Sequence, residues 1–177
     1  MYPALLLMPT FVILVACIHH CTDDGKKLFS QIGLVFAAIS AAVIAVDYYV
    51  QVAVLQPSLL LGEMDGVPLF TQYNPHGVFI ALENLGYLLM GLSFLFVALA
   101  FSGPERLERA VRWILAGGSL LTMLGFFGMH LAYRFDLEYR FEVLAIAINW
   151  TALIVAGVLL SILFRRAIQQ EHQTEAA

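Results

Sequence analysis

Five long apolar runs, separated by turn residues or charges, leave this chain one way to hide its greasy surface. A helix of about 20 apolar residues crosses the ~30 Å hydrocarbon layer of a membrane. Residues 2–20, 28–55, 76–102, 110–133 and 142–164 each approach or exceed that length. Backbone polar groups in hydrocarbon must bond within their own segment, so each run reads as a helix. Hydrophobic residues make up 61% of the 177 and charged residues only 12%, which leaves no stretch for a soluble domain. The expectation is all-α: one domain over 1–177, an integral membrane bundle of five transmembrane helices.

The breaks between runs carry ordinary turn chemistry. TDDGKK separates the first two runs, Gly103 and Pro104 close the third, and RFDLEYRF links the last two. After Leu55 comes QPSLLLGEMDGVPLFTQYNP, where Pro57, Pro68, Pro75, Gly62 and Gly66 argue against a regular helix. This stretch, 56–75, reads as an interfacial loop. Orientation follows from the basic residues, which cytoplasmic loops retain. Lys26, Lys27, Arg106, Arg109, Arg112, Arg165 and Arg166 fall on one side, against Arg134 and Arg140 on the other. Five spans then place the N-terminus outside and the C-terminus in the cytoplasm, in a cell inner (plasma) membrane. Leu14, Val15, Ala16 and Cys17 also spell a lipobox, but the preceding MYP lacks the basic residues of a signal peptide.

Against this background the polar residues inside the runs stand out. An ionisable group in hydrocarbon costs about 2.5 kcal/mol or more, so a functional site is the default reading where several meet. Asp47, Glu83 and Asn149 each lie eight residues inside the outer end of a run, about 12 Å deep at 1.5 Å per residue. Helical phase adds neighbours, because residues at i, i+4 and i+7 share a face. Ser40, Asp47 and Gln51 align on span two; His76, Glu83 and Tyr87, flanked by Asn84, on span three. Ser119, Met123, His130 and Arg134 align on span four, and Glu142 with Asn149 on span five. Four stripes facing inward predict an outward-facing polar pocket bounded by spans two to five, with Asp47, Gln51, His76, Glu83, Asn84, Tyr87, His130, Glu142 and Asn149 as its ligand-binding residues. The competing reading is interhelical hydrogen bonding, worth only about 0.6 kcal/mol per bond on average. The acids outweigh Arg134, so a pocket would favour a cation or a hydrogen-bond donor. Tyr48, Tyr49, Tyr87, Phe126, Phe127, Tyr133 and Trp150 would supply aromatic walls, as interfacial anchors also do.

Other constellations are weaker. His76 and His130 would ligate a haem from two helices, or a zinc ion together with Asp47 or Glu83. Cys17, His20 and Cys21, at i, i+3 and i+4, would suit a soft metal. Packing and interfacial roles account for these residues more simply, and no metal or cofactor is expected. The glycines Gly117, Gly118, Gly125 and Gly128 on span four, with Gly86 and Gly91 on span three, read as close helix contacts. The sequon at Asn149 lies inside a span, out of reach of a transferase. No phosphate-binding loop or nucleophile elbow is present, and no basic patch points to nucleic acid.

The strings DYYVQ, QPSLLLGEMDG, QYNPHGVFIALENLGYLLMG and DLEYRFEVLAIAINW resemble a family of small uncharacterised prokaryotic multi-span membrane proteins. The resemblance implies a compact helical membrane protein with no assigned activity, and a longer N-terminal lead ahead of Met1. Function is then expected to be noncatalytic binding or sensing of a small amphiphile, lipid or cation. An enzyme would instead use Asp47 and Glu83 as general acid and base on a lipid-like substrate, with His76 or His130 as proton shuttle. A structural subunit would turn these groups toward a membrane protein partner or a second copy of the chain. Membrane lipids are partners under every reading.

Overall fold

A computed structural model describes residues 2–134 and 136–175, with the last turns of the final helix described mainly by their backbone. The described residues are helical, with no strands. Helix α1 spans Tyr2–His20, and a 3-10 turn at Asp24–Lys26 leads into α2, Lys27–Val50. A π turn, Gln51–Leu55, joins α2 to the short helix α3, Gln56–Leu61. After a loop with a 3-10 turn at Val67–Leu69 come α4 (Val78–Ala100), α5 (Arg106–Tyr133) and α6 (Arg140–Glu175). Five of these rods are long and apolar enough to cross a membrane. The fold therefore defines a multi-pass membrane protein.

Two boundaries depart from expectation. The helical rod of span two does not stop at Leu55 but runs on to Leu61, ending at Gly62, whose φ of 74° is the left-handed conformation that glycine accepts best. Pro57 is accommodated in the first turn of α3, where a missing N–H costs least, directly after the π turn has reset the hydrogen-bond ladder. Helix α4 begins at Val78, so His76 lies in the preceding loop, exposed, rather than on the helical stripe.

Helix α4 sits at the centre, packed against α2, α5 and α6, while α1 leans mainly on α2. The α2–α4 seam is built from two matching contacts. Ser40 Oγ donates to the Gly86 carbonyl at 2.8 Å, and Ser93 Oγ donates to the Gly33 carbonyl at 2.8 Å. In each antiparallel helix a glycine precedes its serine by seven residues, so each helix offers one serine and receives one. The glycines permit the approach. A Cβ on Gly86 would collide with Ile44, and one on Gly33 would lie 2.7 Å from Val97 Cγ2. Helices α5 and α6 meet in the same manner at Gly118, opposite Ala152, and at Gly125, opposite Leu144. Gly91 makes ordinary contact with Thr122, whereas Gly117 and Gly128 face open space, so only part of the expected glycine set serves close packing.

The bundle has two distinct ends. At one, the α1–α2 turn, the α4–α5 turn and the Arg166 turn of α6 come together around a cavity; this is called the turn end. At the other, Tyr139 Oη donates to the Gln72 carbonyl at 3.0 Å and ties the long loop to the start of α6. Within that loop Asn74 Nδ2 donates to the Pro68 carbonyl at 2.8 Å, and Phe70 packs edge-on against Phe79 of α4.

Candidate functional site

The α2–α4 seam determines what meets above it. Gly33, Ser40 and Asp47 recur every seven residues on α2, so the stripe that clasps α4 also carries Asp47 toward it. On α4, Glu83 stands three residues before Gly86, the clasp partner of Ser40. Asp47 and Glu83 are thereby placed side by side, 0% and 2% exposed. Glu142, half-buried in the first turn of α6, is the third carboxylate and also lies against Glu83. Three acids from three helices form one layer.

Polar neighbours extend the layer in two directions. Gln51 is fully buried, and its Nε2 donates to Asp47 Oδ2 at 3.1 Å, one helical turn away. On the other side Tyr48 lies against both Glu83 and Tyr87. Tyr87 Oη in turn accepts a hydrogen bond from Trp150 Nε1 at 3.3 Å. The run Gln51, Asp47, Glu83, Tyr48, Tyr87 and Trp150 thus crosses the bundle from α2 through α4 to α6. Within it, the acceptor atoms Asp47 Oδ1, Gln51 Oε1 and Glu142 Oε2 are buried with no donor facing them. Such atoms carry a desolvation cost of about 1–3 kcal/mol each unless something supplies a proton or a cation.

Asn149 belongs to a different layer. Its Nδ2 donates to the Ala145 carbonyl at 2.8 Å and, more loosely, to the Tyr87 carbonyl and Thr122 Oγ1, both at 3.4 Å. It bridges α4, α5 and α6 at the level of Tyr87, one turn beyond Glu83, and Glu142 takes the place beside the acids that counting from the span ends gives to Asn149. The reason is stagger. Asp47, Glu83 and Glu142 stand 14, 5 and 2 residues inside their helical ends (61 − 47, 83 − 78, 142 − 140). Equal counts from unequal ends do not give equal depth. Thr122, the hydroxyl partner in this bridge, goes unmarked in the polar stripes of the sequence. Its spacing of three from Ser119 and four from Gly118 is the signal that places it on the buried face of α5.

The histidines stay apart from the acids. His76 is exposed in the loop, its backbone N–H donating to Asn74 Oδ1 at 3.0 Å. His130 is half-buried, with its ring 4.2 Å from that of Phe126. Its Nδ1 lies 2.9 Å from the Phe126 carbonyl; a carbonyl only accepts, so Nδ1 carries the proton. Asn84 is half-buried, with Oδ1 unpartnered, on the flank of α4. Arg134 is exposed, and Arg140 pairs with Glu138 at 3.0 Å while lying over the Tyr133 ring at 4.6 Å. Among the described residues no cation forms a salt bridge with Asp47, Glu83 or Glu142. Nor, among them, do three His, Cys, Asp or Glu side chains assemble to hold a metal ion, which separates the His76, His130 and Cys17, His20, Cys21 sets from that chemistry.

Full burial of Asp47, Gln51 and Asn149 also corrects the expected shape: the layer is closed rather than an outward-open cavity. Glu142 and Asn84, both half-buried, are the members nearest a surface. Ahead of Glu142 in the chain, Phe141 packs edge-on against Phe126 at 5.1 Å, and Phe126 against Phe127 at 5.5 Å. No protein family, curated protein or solved structure matches the chain. Its function is therefore argued from this geometry.

Proposed function

We propose that the protein is a noncatalytic binding or sensing protein of the membrane, whose carboxylate layer takes a small cation or the ammonium head of a small amphiphile. The observation that carries this reading is the triad Asp47, Glu83 and Glu142, buried or half-buried together with three unsatisfied acceptor atoms and no salt-bridged cation. An ammonium group offers donors in several directions and a compensating charge at once. Half-buried Glu142 is the point of entry, and the Phe126, Phe127 and Phe141 rings beside it suit an alkylated cation. The closed state of the layer limits the head to something of ammonium size. It also weighs against acid–base chemistry on a lipid substrate, since Asp47 and Glu83 have almost no open surface from which to reach a scissile bond.

The test uses methylammonium to octylammonium chlorides and the thermal unfolding of the detergent-solubilised protein. Binding to the folded state raises the midpoint as ligand concentration exceeds Kd. A saturable rise is expected, and Glu83→Gln or Asp47→Asn should weaken apparent affinity by about tenfold or more, as loss of a buried charge partner does. If both variants fold like the parent and the parent ignores every ammonium in the series, the proposal is wrong.

A further inference from the structure

The turn end holds a second site of different chemistry. A cleft of about 500 Å³ opens between the α1–α2 turn, the α4–α5 turn and α6, within the volume range of small-molecule sites. Its rim is charged: Asp23 from the first turn, Glu105 and Glu108 from the second, and Arg166 from α6. Its floor is apolar, with Ile18, Phe101, Leu160, Leu163 and Phe164. Among the described residues none of the four charged rim groups is in a salt bridge. Glu108 is held in place sterically, because its carboxylate occupies the volume that a Cβ on Gly103 would fill.

Beneath the cleft the bundle is incompletely closed. A narrow crevice lined only by apolar residues shares Ile18 and Leu160 with the cleft and continues to Phe11 and Leu153. Seven residues separate Ile18 from Phe11 and Leu160 from Leu153, so the crevice descends about 10 Å, roughly a third of the hydrocarbon thickness. Its walls are α1 on one side and α4, α5 and α6 on the other. Helix α1 takes most of its packing from α2, which leaves this wall the one best able to part around an inserted chain.

A charged cleft continuous with an apolar slot has the outline of one lipid molecule. The rim carries three carboxylates and one guanidinium on separate walls, a pattern that matches a zwitterion better than a simple anion or cation. We propose that this cleft binds a phospholipid with a primary ammonium headgroup: its phosphate against Arg166, its ammonium among Asp23, Glu105 and Glu108, and one acyl chain in the crevice. This site is independent of the carboxylate layer at the other end.

Native mass spectrometry of the detergent-solubilised protein, offered equal amounts of dioleoyl phosphatidylethanolamine and dioleoyl phosphatidylglycerol, decides the matter. The expected result is a preference for the ethanolamine lipid of about three- to fivefold, the scale of a partly exposed charge pair. Glu108→Gln should erase the preference by removing charge, and Gly103→Ala by expelling the Glu108 carboxylate while keeping it. Both positions are outside the packed core, and unchanged helix content by circular dichroism establishes that the variants fold. Arg166→Gln should reduce retention of both lipids, and Glu83→Gln should change neither. Equal retention of the two lipids by the parent overturns the proposal. So does complete displacement by free phosphoethanolamine, which would show a site for a soluble headgroup rather than for a lipid.

Discussion

Asn149→Asp is expected to destabilise the bundle by about 3–5 kcal/mol, the cost of leaving a buried charge uncompensated. The two side chains are nearly isosteric, so packing is not the issue. In the native protein Asn149 Nδ2 points its two hydrogens among the Ala145 carbonyl, the Tyr87 carbonyl and Thr122 Oγ1. An oxygen in that position faces two carbonyls that only accept. Thr122 offers no relief, because its hydroxyl already donates to the Gly118 carbonyl at 3.0 Å. Asn149→Leu removes the same hydrogen bonds without burying a charge, and should cost about 1–2 kcal/mol, the upper range for interhelical bonds in membranes. Equilibrium unfolding in mixed micelles separates the two variants. Equal losses for Asp and Leu would mean that Asn149 does not make this bridge.

Gly86→Leu should be nearly as damaging, at about 3 kcal/mol, the upper end of the usual range for overpacking. The volume beside Gly86 is already filled by Ile44, itself fully buried. Any side chain there forces α2 away from α4, and with it goes the hydrogen bond from Ser40 to the Gly86 carbonyl. Asp47 and Glu83 lie just beyond this point, so ammonium binding should be lost as well as stability. Gly117→Ala is the contrasting case. Nothing lies within 4 Å of its added Cβ, and the better helix propensity of alanine should stabilise by about 0.5–1 kcal/mol. The same unfolding assay reports both variants, and a Gly86→Leu protein as stable as the parent would contradict the close α2–α4 approach.

The elements of this fold were legible in the sequence because each spanning helix announces itself locally. Twenty apolar residues and a Gly or Pro stop need no partner to be read, and all five apolar runs correspond to long helices. Helical phase was equally informative for Asp47, Gln51, Glu83 and Glu142, since one stripe on one helix determines which side faces its neighbours. What phase does not contain is the height of one helix against the next. Asn149 falls one layer away from the acids because α6 starts two residues before Glu142 while the rod of span two runs six residues past Leu55. His76 fails for a related reason, since the helix it would belong to starts at Val78. His130 shows a third limit: a ring at the right phase is free to turn to its own backbone, as this one does toward Phe126. The turn-end cleft escaped a linear reading altogether, since its walls come from residues as far apart as Ile18 and Arg166.

The paired Ser–Gly clasps of α2 and α4 have a consequence for how this chain is able to change. Each clasp is satisfied only if the seven-residue interval on one helix equals the interval on the other, like matched notches on two rulers laid head to tail. One inserted residue rotates everything beyond it by about 100°. It would keep one notch engaged, free the other, and swing Asp47 off the seam. Point substitutions elsewhere on these helices are local events, but a length change between Gly33 and Ser40 has to be answered by an equal one between Gly86 and Ser93.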